Sequence, residues 1–553
     1  MAGAIRIVSC RIVILIWPQR CADAVRSQGH DRKEGGRGDS KGLADLAHHH
    51  NDDSCAHSKQ LLSPINGSVS INGSGSAIGH VGEAHHNLAE LSSDTQHCGC
   101  EEDRDHFKKA ASVAQIFRCF SVKRSWELLT ARRKECSRGL RIFDGMRVLS
   151  ILWIIVGQTL YIQAKLYDNT LYVMSEVQRS SWHVILMGTL APDTFLFIGG
   201  FLASYRVLHV YAFQGYAPKG FHAVKSSIKL ILRRYFRLTP LLGFVLAFYY
   251  FALPSIIGGP IWGLWKKHPD YADCKKDWWR LLVYGNNMVD SQCMSWTWYT
   301  AVDFQLFLIV PFVTLAFWHF GVVALGGVLL LLIASIVINA VEVSNLGDAE
   351  CTKNIMNFTT PLTKLETKPW IRAVPYLLGI TLSFLYNAMG EFEGARNFRG
   401  RPMMMALMWF FSAVTLALPV FGNINMQIKT GDHEGECRWN HAENAAYMSL
   451  YRLSWSIGIF LLTGSCLVGW GHFISRLLSA RAWAPFSRLV YGVFLVHPIL
   501  IEIRGYGGNS YVDFSEISYV LEAAGFIALS FFFSTFAFFI VEGPLYQIRQ
   551  LIR

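Results

Sequence analysis

From Met146 to the C-terminus, apolar runs long enough to cross a bilayer recur with short polar breaks between them. A span of about 20 apolar residues can satisfy its backbone in lipid only as a helix or as part of a closed barrel. Runs of this length and continuity are helical, so the expected fold is all-α and integral to a membrane. Counting them predicts a bundle of about ten transmembrane helices. They lie near 146–164, 183–205, 231–257, 299–319, 321–342, 371–389, 403–422, 447–470, 487–503 and 518–541. The fourth and fifth nearly touch, which predicts a tight hairpin around His319 to Gly321. Composition agrees: 16% of residues are charged, against roughly 25% in soluble domains. The formal net charge of +11 therefore reports topology before it reports nucleic acid. A soluble enzyme, a disordered regulator, a collagen and a nucleic-acid-binding module are all excluded.

The chain divides into unequal parts. Residues 1–116 are low in complexity, with His48-His49-His50 and Ile71-Asn72-Gly73-Ser74-Gly75-Ser76, and hold no sustained helical or strand period. They read as a disordered cytosolic tail. The apolar stretch from Ile5 to Trp17 is too short to span, and Arg11 interrupts it as a signal peptide. His97-Cys98-Gly99-Cys100 with His106 lacks the Cys-x2–4-Cys spacing and second pair of a zinc site, so no metal is expected. Asn66-Gly-Ser and Asn72-Gly-Ser match the glycosylation pattern, which matters only if the tail is lumenal. Residues 117–140 form a basic juxtamembrane segment, with Arg132, Arg133, Lys134 and Arg138 ahead of the first span. Within it, Ser121–Thr130 has the pattern of a short amphipathic surface helix. Residues 141–553 are the transmembrane domain.

Charge predicts orientation. If Arg147 starts in the cytosol, the alternate loops carrying Arg206/Lys219/Lys225, Arg396/Arg399/Arg401, Arg476/Arg481 and Arg549/Arg553 are cytosolic, as the positive-inside rule requires. Both termini are then cytosolic, in an endomembrane or the plasma membrane. The loop 259–297 is the exception, with five basic residues partly balanced by Asp270, Asp273, Asp277 and Asp290. Cys274, Cys293, Cys351 and Cys437 all fall on the far, oxidising side. The economical pairing is Cys274–Cys293 within one loop and Cys351–Cys437 between two. Asn357-Phe-Thr is a glycosylation acceptor on that same side.

Ionisable residues inside spans are costly and mark function by default, although packing between helices is the bland alternative. They fall here in blocks. In Phe143-Asp144-Gly145-Met146-Arg147, the arginine stands at the cytosolic mouth of the first span. Gln158, eleven residues deeper, lies on roughly the same face. Pro192-Asp193-Thr194 leads into Gly199-Gly200, which suits close helix packing around a polar site. Arg233-Arg234-Tyr235-Phe236-Arg237 places Arg234 and Arg237 three apart on one face, which suits a polyphosphate or snorkelling to headgroups. Trp296-Thr297-Trp298-Tyr299 forms an interfacial aromatic belt and carries Asp303 and Gln305 into the next span. Tyr491-Gly492-Val493-Phe494-Leu495-Val496-His497-Pro498 and Glu542-Gly543-Pro544 follow.

In order and spacing, these blocks resemble the acyltransferase 3 family of membrane acyltransferases, and more closely its nose-resistant-to-fluoxetine branch, over about 141–553. The branch-like features are the paired loop cysteines around Trp278-Trp279, Asn286-Asn287 and Cys293-Met294, then Trp298-Tyr299, Asp303 and Gln305. Phe120-Ser121 looks like that branch's lead-in. The resemblance implies an O-acyltransferase. It would take an acyl group from cytosolic acyl-CoA, acetyl-CoA first, and pass it to a sugar or lipid hydroxyl in or across the membrane. By resemblance, Arg147 is the entrance arginine, Arg234 and Arg237 hold the CoA phosphates, and Asp193 is the second-helix aspartate. Two positions depart. The family's first-helix histidine, the expected base, is Gln158, and its small second-helix hydroxyl residue is Gly199. A glutamine amide orients a group but takes no proton from a hydroxyl at neutral pH. His497 or His183 is then the candidate base. The alternative expectation is a silent member that binds or moves a lipid or small amphiphile. The branch's lumenal N-terminal domain is expected to be missing, since residues 1–140 hold neither a foldable core nor an extra span.

Overall fold

The structure, a computed structural model, describes residues 113–131, 139–345 (apart from 165, 178, 215–216 and 290), 365–391, 402–422 and 441–551. The low-complexity tail, its His/Cys cluster, Cys351, Cys437 and Asn357 lie outside the described residues. The described chain is helical, with one isolated bridge between Tyr167 and Val512.

Each expected span is helical, the one near 299–319 being broken into two helices. A surface helix, α1 (Val122–Thr130), precedes α2 (Ile142–Gln163), α3 (Ala191–Gln214) and α4 (Gly220–Ala247). Next come α5 (Trp298–Phe307), α6 (Val310–Phe320), α7 (Val322–Asn345), α8 (Ala373–Glu391) and α9 (Pro402–Phe421). The last are α10 (His441–Val468), α11 (Trp483–Tyr506) and α12 (Glu516–Ala537), which runs on to Gln550 through a widened turn. Among the described residues, eight helical stretches, rather than the ten counted from sequence, are long and apolar enough to cross a membrane; α2, with Asp144 and Arg147, is not one of them, and α8 is shorter in its apolar part, Ala373–Ala388. The chain is therefore an integral membrane protein.

Local chemistry sets the breaks. Pro311, at the start of α6, has no N–H to continue the ladder of α5. The α6–α7 hairpin turns at Gly321, whose φ of +53° and ψ of −121° suit only glycine. Helix α3 starts later than the hydropathy suggests, because Ser180–Leu190 winds as short helical turns that lead into it. At its middle, α3 and α8 touch backbone to backbone. A Cβ on Gly200 would sit 2.2 Å from Tyr376 O, and one on Gly379 2.2 Å from Phe197 O. Small residues on both sides are how helices approach closely in lipid.

The loop 259–297 is folded rather than slack. Cys274 and Cys293 form the expected disulfide, with Cα atoms 4.6 Å apart. Its acids do more than balance charge. Asp270 Oδ1 accepts from Ser295 N at 3.0 Å, and Asp273 Oδ2 from Gln292 N at 2.9 Å. Asn287 and Gln305 exchange amide hydrogen bonds at 2.8 and 3.1 Å, which ties the loop to α5.

Candidate functional site

Two groups of polar residues lie inside the bundle. The first is built on Asp193, in the first turn of α3 and fully buried. Arg372 Nη1 donates to its Oδ1 and Arg452 Nη1 to its Oδ2, each at 2.8 Å. Arg452 Nη2 lies 2.6 Å from Glu366 Oε1, and Arg372 Nη2 lies 3.7 Å from Oε2. Tyr451 donates its hydroxyl to Glu366 Oε1 at 2.7 Å. The result is a closed ring of two acids and two guanidiniums. Burial alone pushes the Glu366 carboxyl up, but Arg452 and Arg372 outweigh it and hold the group below the ordinary carboxylate range. Arg372 also stacks 4.6 Å over Trp298. The ring joins α3, α10, the start of α5 and the segment just ahead of α8 that carries Glu366 and Arg372. Asp193 is thus the pivot of an ion-pair cluster, with both oxygens committed to arginines.

The second group lies deeper. Arg234 Nη2 donates to Asp303 Oδ2, and its guanidinium stacks 4.3 Å over Phe307. Asp303 is set against Gly199: a Cβ there would stand 3.0 Å from Asp303 Oδ1 and 3.4 Å from Tyr376 Cε2. Glycine at that position lets both groups close in. The Tyr376 hydroxyl is buried and has no hydrogen-bond partner among the described residues. Tyr299 lies in the electrostatic field of Asp303, Arg234, Arg147 and Tyr376. Arg147 is partly buried on α2, and its charge acts on Tyr299. Arg237, one turn beyond Arg234, is exposed, and Glu542 and Arg549 act on each other and on it electrostatically.

His497 stands apart from this group, with the Phe494 ring between it and Tyr299. It is 1% exposed on α11. Its Nδ1 lies 3.0 Å from Val493 O. A carbonyl only accepts, so Nδ1 carries the proton and Nε2 of the neutral ring is bare. Nε2 has no partner among the described residues. The imidazole lies against Phe494, centroids 6.0 Å apart, and Phe494 meets Tyr299 edge-on at 5.2 Å. His183 is buried in the short turn before α3. Gln158 is partly buried beside Gly157, where a Cβ would lie 3.1 Å from Ile185 O.

Of the residues singled out from sequence, Arg234 pairs with Asp303, Arg147 acts on Tyr299 by its charge, and His497 is separated from Tyr299 by Phe494. Asp193 is bound into the separate ion-pair ring. Sequence reasoning missed Arg372, Glu366, Arg452 and Tyr376. Arg452, a charge inside the predicted span 447–470, and Arg372, at the mouth of the span 371–389, had a signal. One helical turn joins the two groups, since Arg372 serves the ring and Tyr376 lines the deeper site.

Comparisons with known proteins fit this geometry. A family model described as an acyltransferase domain matches residues 140–540. The chain is 26% identical to nose resistant to fluoxetine protein 6 of Caenorhabditis elegans over 449 residues, 77% of this chain and 53% of that protein. It is 25% identical to the regulator of hypoxia-inducible factor 1 of the same organism over 300 residues, 49% of this chain and 55% of that one. The chain thus spans about half the length of the curated relatives it matches. No solved structure matches it. With the model covering most of the chain and the spans, glycine contacts and buried charges falling inside it, this chain belongs to the acyltransferase 3 family of membrane acyltransferases.

Proposed function

We propose that this protein moves an acyl group from cytosolic acyl-CoA to a hydroxyl of a sugar or lipid held in or across the membrane. The observation that carries the reading is His497, a buried imidazole whose tautomer is set by Val493 and whose second nitrogen is bare. Such a nitrogen can take the acceptor's hydroxyl proton. The freed oxygen attacks the thioester carbonyl, the carbon–sulfur bond breaks, and the thiolate leaves with the proton from the imidazolium. Tyr376 supplies an O–H donor suited to the carbonyl oxygen as negative charge develops there. Gln158 orients a reactant without titrating. Arg237, with Arg234 behind it, supplies guanidiniums of the kind that bind phosphate oxygens. In this reading the donor enters from the side of the loops rich in Arg and Lys, in keeping with the positive-inside rule.

A second reading rests on Gln158 and Gly199. With the family's base and small hydroxyl both replaced, the same site would bind or move a lipid or small amphiphile without turnover. One experiment separates the two readings: acyl-CoA hydrolysis and transfer by the full protein in detergent, beside Gln158→His and the double variant Arg234→Ala/Arg237→Ala. Turnover in the wild type, with KM for the donor raised in the double variant, supports the enzyme. CoA binding without turnover, and activity gained by Gln158→His, supports the binder. Absence of CoA binding overturns the donor site in both.

A further inference from the structure

Helix α1 has three faces, and none of them belongs to the site above. Ser125 and Leu129 are buried against the bundle. Gly543 makes room for the first of these, since a Cβ there would lie 2.5 Å from Ser125 Oγ. Arg488 holds the C-terminal end, donating to Leu128 O at 2.7 Å and to Ala131 O at 2.5 Å. The helix is therefore docked in one orientation. Its second face is apolar and uncovered: Val122 is 62% exposed and Trp126 54%, with Phe120 at 53% just ahead of them. The Trp126 ring lies 6.3 Å from Phe539 of the C-terminal span. On that span Phe536 and Ile540 are exposed as well, so the apolar face of α1 continues a lipid-facing strip. The third face carries Lys123, Arg124 and Glu127, all exposed, with Arg118 nearby. The chain then continues into Arg132-Arg133-Lys134.

We propose that α1 lies in the headgroup layer of an anionic leaflet, with Val122 and Trp126 among the upper acyl chains and Lys123 and Arg124 on lipid phosphates and carboxylates. Apolar area of this size is not left in water without a use. An amphipathic helix with a tryptophan on one side and basic residues on the other meets both layers of the interface. The occupant is lipid rather than another protein because the apolar face runs on into a transmembrane span, and because cations outnumber the single acid, Glu127. Docking through Arg488 to α11, the helix that carries His497, couples this contact to the bundle.

The test uses the full protein in nanodiscs of phosphatidylcholine, alone or mixed with phosphatidylserine. The Trp126 signal is the difference between wild type and Trp126→Phe. It is expected to be quenched by lipid brominated near the headgroup and shielded from aqueous iodide. Mass spectrometry of co-purified lipid is expected to show phosphatidylserine enrichment, falling about fivefold for each charge removed in Lys123→Gln and Arg124→Gln. Iodide quenching of Trp126 without quenching by brominated lipid would overturn the proposal and leave a solvent-facing or protein-binding helix. Equal lipid enrichment in the charge variants would overturn its anionic part. If either charge variant fails to fold, the quenching comparison still decides the placement of the helix.

Discussion

The ring around Asp193 and the cluster around Asp303 hold the same kinds of residue and differ in what is left over. In the ring, every carboxylate oxygen of Asp193 and Glu366 faces a guanidinium. In the deeper cluster, the Tyr376 hydroxyl and Nε of Arg234 are buried without a partner among the described residues, as is Nε2 of His497 on α11. A buried polar group left unpaired costs about 1–3 kcal/mol. The ring joins helices through ion pairs, whereas the second group leaves polar atoms unpaired among the described residues.

Substitutions sharpen or break that contrast. Removing one arm of the ring with Arg452→Ala strands Asp193 and Glu366 as buried acids, and breaking a buried pair costs about 3–5 kcal/mol. The expected result is a large drop in thermal stability in detergent; an unchanged melting temperature would deny the ring its structural role. His497→Gln is expected to act the opposite way, lowering acyl transfer by about 10²–10⁴-fold at nearly constant stability. Full activity in this variant would move the base elsewhere, to His183 first. Tyr376→Phe removes an unpaired hydroxyl from the core, so stability holds or rises slightly. Turnover then falls by about 10²-fold, the effect of one lost oxyanion donor, in kcat rather than KM. A change in stability alone would return Tyr376 to packing.

The smallest effect tests the ring by pH. The folded Glu366 group lies below the usual value of 4.5, so its stabilisation is present above that pH. It is lost as pH falls through the folded value. Glu366→Gln is expected to flatten the fall in melting temperature below about pH 4.5. A wild-type curve that the variant reproduces would exclude Glu366 as the titrating group.

The two groups were unequally legible. Arg147, Arg234 and Asp303 stood out as charges in or at the mouth of apolar runs, and Gly199-Gly200 as a small pair in mid-span. Nothing local pointed to Tyr376, because a tyrosine at the start of a span reads as an interfacial anchor. The replacement of a small hydroxyl residue at position 199 gained meaning only when Gly199 was seen to admit both Asp303 and the Tyr376 ring. Asp193 read as a catalytic aspartate by resemblance, whereas the structure surrounds it with arginines from 179 and 259 residues away.

What the sequence determined by itself follows from local rules: span length against bilayer thickness, backbone satisfaction by helix, a glycine turn at 321, and two loop cysteines close in the chain. These depend on a residue and its near neighbours. Which acid meets which arginine, and which polar atom is left bare, was decided only by tertiary structure. Lipid supplies no hydrophobic drive between helices, so partner choice rests on close packing at Gly199, Gly200 and Gly379 and on ion pairs. They include pairs 69, 179 and 259 positions apart, and no periodicity along the chain encodes them.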